Sequence, residues 1–219
     1  MPSLVSTFYR LKMLCLGGVR LDHWFAERLN SGCPFLEDLV LHFCSNEFDS
    51  IQSNTLKSLV VRGCFSQVAD VLVVRAPCLA SLCLKFPGYC YKNGLSLVAG
   101  NSLLRASISV HDFSPRCEAM LLGSLYNVRS LELEGFSAMA ILDKESDKLP
   151  TFGSLKTLCL NGCFESEHTF EALGGLLKKS PNLKKLTLQD FWVGILNIFS
   201  LPTEYVACIC KLSHMIMYY

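Results

Sequence analysis

The sequence lacks the features that mark several large classes of protein. Charge of either sign is not in excess, because 20 lysines and arginines stand against 19 aspartates and glutamates, and the formal net charge is +1. A nucleic-acid-binding protein needs a basic face to neutralise phosphates, so this balance argues against nucleic-acid partners and against polybasic docking on a membrane. Long hydrophobic runs are also missing. The most apolar stretch, FWVGILNIFSL at 191–201, is too short to cross a bilayer.

The common motifs of enzymes are absent as well. The glycine pairs in LGGV (16–19) and LGGL (173–176) have neither the spacing nor the lysine of a phosphate-binding loop. The chain contains no His-Glu-x-x-His and no Cys-x-x-Cys motif, and its five histidines are scattered. We therefore expect a protein that is not an enzyme and that holds no metal ion or organic cofactor.

Signals for secretion are equally missing. The N-terminal MPSLVSTFYRLK shows no charged stretch followed by an apolar one, and the chain has no Asn-x-Ser/Thr acceptor. We therefore interpret the twelve cysteines as reduced thiols of an intracellular protein, cytoplasmic or nuclear, and not as a disulfide framework. A disulfide between Cys44 and Cys64, which lie in consecutive repeats of the pattern described next, is the alternative.

What the sequence does contain is one phrase, Leu-x-x-Leu-x-Leu-x-x-Asn/Cys, which recurs along the chain. The phrase starts at residues 11, 36, 56, 79, 103, 128, 155 and 183. This spacing is typical of leucine-rich repeats, and the alternating apolar positions predict a short half-buried strand in each repeat. We predict an α/β leucine-rich repeat solenoid, or horseshoe, of about eight repeats over residues 1–190, with a parallel sheet on its concave side.

The segments between the phrases are long enough for helices. Asp22, Ser114 and Ser166 are predicted N-caps, and Pro115 suits a first helical position. The phrase does not recur in residues 191–219, which we expect to be a non-repeat apolar tail, either an improvised cap or an artefact of the gene model.

The ninth position of the phrase is occupied by cysteine in three repeats. Cys44, Cys64 and Cys163 stand there. A side chain at this position is expected to point into the core and to bond with backbone at the turn, a place that suits a small thiol.

The third, fifth and seventh positions should point away from the buried leucines, toward the concave side. In the first four repeats the fifth position is apolar or a thiol, which predicts an exposed apolar stripe with a polar border, a common mark of protein interaction. The alternatives are that these residues merely favour strands or are covered by another part of the protein. The candidate protein-binding face comprises Asp38, Val40, His42, Val60, Arg62, Cys83, Lys85, Arg105, Glu132 and Glu134.

The phrases LNSGCPFLEDLVLHFC, SNTLKSLVVRGC and LLKKSPNLKKLTLQ resemble the leucine-rich region of plant F-box/LRR proteins, the group that often carries a C-terminal FBD domain. The resemblance implies a protein-binding module like the substrate-recognition arm of an SCF ubiquitin ligase, with no catalysis of its own. In that family an N-terminal F-box docks on a Skp-type adaptor.

The first phrase of this chain begins too early to leave room for an F-box, and residues 191–219 do not match an FBD segment. We therefore expect a protein target on the concave face, and a Skp-type adaptor only for a longer form that carries an F-box. The alternative function is a stand-alone interaction scaffold, a decoy or a non-functional truncated gene product.

Overall fold

The computed structural model describes residues 8–66, 70–87, 90–91, 93–109, 111, 113–142, 149–163, 168–190 and 215–217. The chain divides into two compact units, Met1–Leu103 (unit 1) and Leu104–Tyr219 (unit 2). In unit 1 the elements are β1 Met13–Gly17, β2 Arg20–Leu21, α1 Phe25–Gly32, β3 Asp38–His42, β4 Ser45–Asn46, β5 Ser50–Gln52, β6 Ser58–Arg62, β7 Phe65–Ser66, β8 Leu72–Arg75, β9 Ser81–Lys85 and β10 Leu95–Val98. In unit 2 they are β11 Arg105–Ser109, α2 Pro115–Ser124, β12 Ser130–Glu134, α3 Met139–Leu142, β13 Thr157–Asn161, α4 Thr169–Lys178, β14 Lys185–Gln189 and β15 Met215–Met217.

Each of the eight phrases forms a five-residue strand that covers its third to seventh positions. In unit 1 these strands pair in the order β1-β3-β6-β9, and in unit 2 in the order β11-β12-β13-β14. All the pairs are parallel, and equivalent phrase positions lie opposite one another. The phrase leucines at the fourth and sixth positions lie on the same face of their strands. That face of the parallel sheet is the one that packs into the core. The predicted parallel α/β architecture of a leucine-rich repeat is therefore confirmed.

The segments that return between the phrase strands of unit 1 differ from the prediction of a helix in every repeat. Within the described residues only the first return contains an α-helix, α1, and the fourth contains a single 3-10 turn at Gly100–Ser102. The later returns form short strands, which together with β2 of the first return make two parallel three-stranded sheets in the orders β10-β8-β5 and β2-β4-β7. The sequences LVVR in β8 and LSLV in β10 explain the difference, because β-branched residues and strict alternation favour an extended chain.

The returns of unit 2 are helical, and their starts test the predicted caps. Ser114 is the N-cap of α2, where its hydroxyl accepts a hydrogen bond from the Cys117 N–H at 3.3 Å, and Pro115 is the first helical residue, as predicted. In unit 1 the prediction for Asp22 was wrong. Its carboxylate accepts from the Trp24 N–H at 3.1 Å, and this turn makes Trp24 the N-cap of α1. The helix α4 starts after His168, and Ser166 lies outside the described residues.

Most phrase strands end on a residue in the left-handed region of backbone conformation. Position eight has positive φ at Gly18, Phe43, Gly63, Gly135, Gly162 and Asp190. The N–H of this residue continues the parallel ladder, as in the bond from Gly63 to the Lys85 carbonyl at 2.8 Å. Gly63 has a second reason to lack a side chain, because a Cβ there would meet the Phe43 ring at 2.6 Å.

The predicted boundary at residue 190 stays a prediction. Of the predicted tail, 191–219, only β15 is described, and it pairs in parallel with β14. The rest of that prediction falls outside the described residues.

Candidate functional site

The open sheet face is the surface formed by the third, fifth and seventh positions of the phrase strands. On β3 and β6 the leucines at the fourth position, Leu39 and Leu59, are fully buried, whereas Val40 and Val60 beside them are half-buried. The alternation follows from the pleat of a strand, which sends successive side chains to opposite faces. Because the strands pair in register, like positions form rows across the sheet of each unit.

The fifth positions of unit 1 form an apolar row whose exposure falls along the sheet. Cys15 is exposed, Val40 and Val60 are half-buried, and Cys83 is only 8% exposed. Cys83 is covered because the Arg62 Nε donates a hydrogen bond to its Sγ at 3.3 Å. The exposed part of this row therefore ends at Val60, one strand earlier than the sequence suggested.

Polar residues border this apolar row on both sides. At the seventh position His42, Arg62 and Lys85 lie side by side on paired strands. Arg62 is exposed, and the other two are half-buried. On the opposite border Asp38 is half-buried at the third position. Six of the seven candidate residues of unit 1 thus lie on one surface with a basic border, and the seventh, Cys83, is buried beside Arg62.

The remaining three candidates lie on the open sheet face of unit 2. Arg105 is exposed on β11, and Glu132 and Glu134 are half-buried on β12. Register places Glu132 between Ser107 and Cys159 on the flanking strands. This face is therefore polar and carries carboxylates in its middle, in contrast to the apolar and basic face of unit 1.

A ladder of thiols in the core of unit 1 consists of Cys44 and Cys64, both at the ninth phrase position, together with Cys90. The Cys44 N–H donates to the Cys64 Sγ at 3.3 Å, and the Cys44 thiol donates to the Leu16 and His42 carbonyls at 3.6 and 3.4 Å. The Cys90 thiol reaches the Cys64 carbonyl at 3.9 Å. Burial raises the pKa of Cys64 to about 11, and all ten described cysteines are free thiols. The ninth position is therefore structural, as its spacing predicted.

Comparison with known proteins identifies the repeats. Residues 1–99 match the family model described as "FBD-associated F-box protein At5g56370, LRR repeats". The chain is 33% identical over 209 residues to MEIOTIC F-BOX protein MOF of Oryza sativa subsp. japonica, an alignment that covers 85% of this chain and 42% of that protein. It is 30% identical over 182 residues to F-box/LRR-repeat protein At4g14096 of Arabidopsis thaliana, covering 74% of this chain and 36% of that protein. The repeats of this chain are therefore similar to those of the plant F-box/LRR family.

The chain spans less than half the length of these two relatives, 42% and 36%. The family model covers almost the whole of unit 1, where the phrase GCPFLEDLVLHFC lies. The resemblance seen in the phrases alone is therefore confirmed.

In unit 1 a ladder of ion pairs runs across the amino-terminal ends of the phrase strands. Glu37 accepts hydrogen bonds from the Lys57 and Lys12 ammonium groups at 2.7 and 2.9 Å, and these bonds lower its pKa to about 2. All three residues occupy the second phrase position. Pattern reasoning missed this ladder because the partners are 20 and 25 residues apart and meet only through strand register.

One carboxyl group is buried in unit 2, and among the described residues no cation pairs with it. Glu118 on α2 is 3% exposed, and it accepts a hydrogen bond from the Ser137 N–H at 2.8 Å. Burial raises its pKa to about 7, and the backbone bond only partly offsets that rise. An acid in the first turn of a helix favours the helix dipole, and nothing in the sequence pattern indicated that this one is buried.

A polar pocket of about 530 Å³ lies at the carboxyl ends of the phrase strands in unit 2, and His111, Glu134, Asn161, His168 and Asp190 help to line it. The His111 Nε2 lies 3.3 Å from the Ser109 Oγ. Ser109 is almost fully buried, so this pair does not present an accessible nucleophile. In the described part of the chain no group of three or more His, Cys, Asp and Glu is placed to hold a metal ion. Among the helices of that part, none is long and apolar enough to span a membrane.

Proposed function

We propose that the chain is the target-binding module of an F-box/LRR ubiquitin ligase and performs no catalysis of its own. Its repeats stack as a horseshoe solenoid of about eight repeats, with the open sheet face on the concave side. The observation that carries the proposal is the row of Val40 and Val60, two apolar side chains held half-buried on a face that their neighbours border with polar groups. Apolar surface with a polar border is the usual anatomy of a protein interface.

The open sheet faces of the two units differ in the chemistry they offer to a partner. In unit 1 the row of Val40 and Val60 supplies apolar area. His42, Arg62 and Lys85 orient the partner through hydrogen bonds and charge. In unit 2 Glu132 and Glu134 favour contact with a basic group of a partner, while Arg105 favours an acidic one. Such complementarity chiefly sets the rate of association and the choice of partner.

Replacing Val40 and Val60 together by Asp should abolish capture of the target. The new carboxylates would have to be desolvated in the interface, so binding should fall by about a hundredfold or more. Proteins from plant extract that bind the immobilised wild-type chain would be quantified by mass spectrometry and compared with the variant. Val98→Asp is the matched control, because Val98 is 55% exposed on β10, away from the open sheet face. Equal loss in both variants, or unchanged capture by the double variant, would refute the proposal.

We assign recruitment of the ligase to a longer form of the protein that carries an F-box. That F-box would dock on a Skp-type adaptor in the cytoplasm or nucleus. The described stretch between residues 8 and 190 is occupied by the repeat strands and their returns. The purified chain of 219 residues should therefore show no direct binding to a Skp-type adaptor by surface plasmon resonance up to about 10 μM. Submicromolar binding by this chain would contradict that assignment, while target capture without the adaptor would fit a stand-alone scaffold or decoy.

A further inference from the structure

A second surface of unit 1 has the composition of a binding site. A groove of about 530 Å³ lies at the amino-terminal ends of the phrase strands, beside the Lys12–Glu37–Lys57 ladder. Its volume falls in the range of ordinary ligand pockets. The groove is distinct from the row of Val40 and Val60, because its lining residues precede the strands, at the second phrase position or before it.

Two aromatic side chains of the groove face solvent. Tyr9 is 60% exposed and Phe35 is 57% exposed, and both line the groove. An aromatic side chain that is left in water forgoes the stabilisation of burial, so two at one groove form an apolar surface that a partner can cover. Aromatic residues are also the commonest anchors of binding energy in protein interfaces.

Cations outnumber carboxylates in the groove. Arg10, Lys12 and Lys57 line it with a single acid, Glu37, which both lysines already contact. Arg10 is exposed and has no ion-pair partner among the described residues. The groove therefore carries an uncompensated positive charge next to its aromatic side chains, and it is electrostatically complementary to an acidic ligand.

The length of the groove favours an extended chain over a compact ligand. Its lining comes from four successive repeats, since Tyr9, Phe35, Thr55 and Cys78 each precede a different phrase. Four neighbouring strands span about 14 Å at a spacing of about 4.8 Å. An extended peptide rises about 3.3 Å per residue, so about four residues would cross the groove.

We propose that this groove binds an extended acidic segment of a partner protein. An aromatic or aliphatic side chain of the segment packs between Tyr9 and Phe35, and its carboxylates contact Arg10 and the two lysines. This segment and the target on the open sheet face bind to different residues of the chain, so the two proposals are tested separately. Loss of binding at one surface therefore leaves the other assignment intact.

The test uses a fluorescein-labelled peptide that alternates Glu with Leu and Phe, and fluorescence anisotropy with the full chain. We expect a dissociation constant below about 100 μM, which rises when salt is increased from about 0.05 to 0.3 M. The same peptide with Lys in place of every Glu should not bind. Arg10→Glu and Phe35→Ser should each weaken binding about tenfold.

Arg116→Glu is the matched control, because Arg116 is exposed on α2 of unit 2 and far in sequence from the groove. It should leave the affinity unchanged, and circular dichroism would verify that each variant is folded. Failure of the acidic peptide to bind at about 1 mM, or equal binding of the Lys peptide, would overturn the proposal. Equally tight binding of a short oligothymidylate that is lost in Arg10→Glu would overturn it too, by assigning the groove to nucleic acid.

Discussion

Raising the pH from about 5 to about 8 should lower the free energy of unfolding of unit 2 by up to about 3 kcal/mol. The cause is Glu118, whose pKa rises from about 4.5 to about 7 when the folded chain buries it. Between these two values the folded state keeps a proton that the unfolded state releases. The contribution to stability is therefore fully present below about pH 4.5 and is lost as the pH rises toward 7. Urea unfolding at a series of pH values measures it.

The variant Glu118→Gln isolates this effect. The amide is the same size as the protonated carboxyl, and its oxygen can still accept the hydrogen bond from the Ser137 N–H. The variant should lose most of the pH dependence in this window and should be more stable than the wild type at pH 8. Glu37 does not contribute to the change between about pH 5 and about pH 8. The Lys57 and Lys12 ammonium groups lower its pKa to about 2, so any change in stability from its titration falls below about pH 5. A variant whose pH profile still parallels that of the wild type would show that another group is responsible.

Replacing Leu59 by Ala should destabilise unit 1 by about 3 kcal/mol, within the range of about 2 to 5 kcal/mol for such changes in a core. Leu59 lies on β6 between Leu39 and Leu82 of the neighbouring strands, and all three are buried. Its removal leaves a cavity that the repeats on both sides cannot fill without moving. Chemical denaturation followed by circular dichroism gives the loss as a shift of the midpoint.

The neighbouring residue supplies the control for this experiment. Val60 is on the opposite face of the same strand, where it is half-buried. Val60→Ala should cost less than about 1 kcal/mol, because the methyl groups it removes are partly in water already. A similar cost for both variants would contradict the assignment of the two faces, on which the proposed target site depends.

The sequence predicted the phrase strands well because a single physical signal specifies them. Buried leucines at fixed spacing set the strand, its inward face and its register at once, so the bounds of β3 and β6 follow from the pattern alone. The returns were harder to predict, because their length suits a helix or a strand equally. The cap of α1 moved from Asp22 to Trp24 because a local turn between them competes with direct capping.

Contacts between distant side chains explain what the sequence could not show about the candidate site. Cys83 was expected in the exposed row, and the side chain of Arg62 on the neighbouring strand covers it. The burial of Glu118, whose carboxylate accepts a hydrogen bond from the Ser137 N–H, was likewise not indicated by the sequence. In both cases the partner is about twenty residues away, and the contact depends on how repeats stack and on which rotamer a long side chain adopts.

The cysteine ladder also determines which thiols of the protein are oxidised first in air. Only a thiolate attacks an oxidant, and burial raises the pKa of Cys64 and Cys163 to about 11, so both remain protonated at neutral pH. Cys15 and Cys78 are exposed in the same chain. Oxidation should therefore begin at these surface thiols and link folded chains to one another, while the hydrogen-bonded sulfurs that hold neighbouring repeats together are spared.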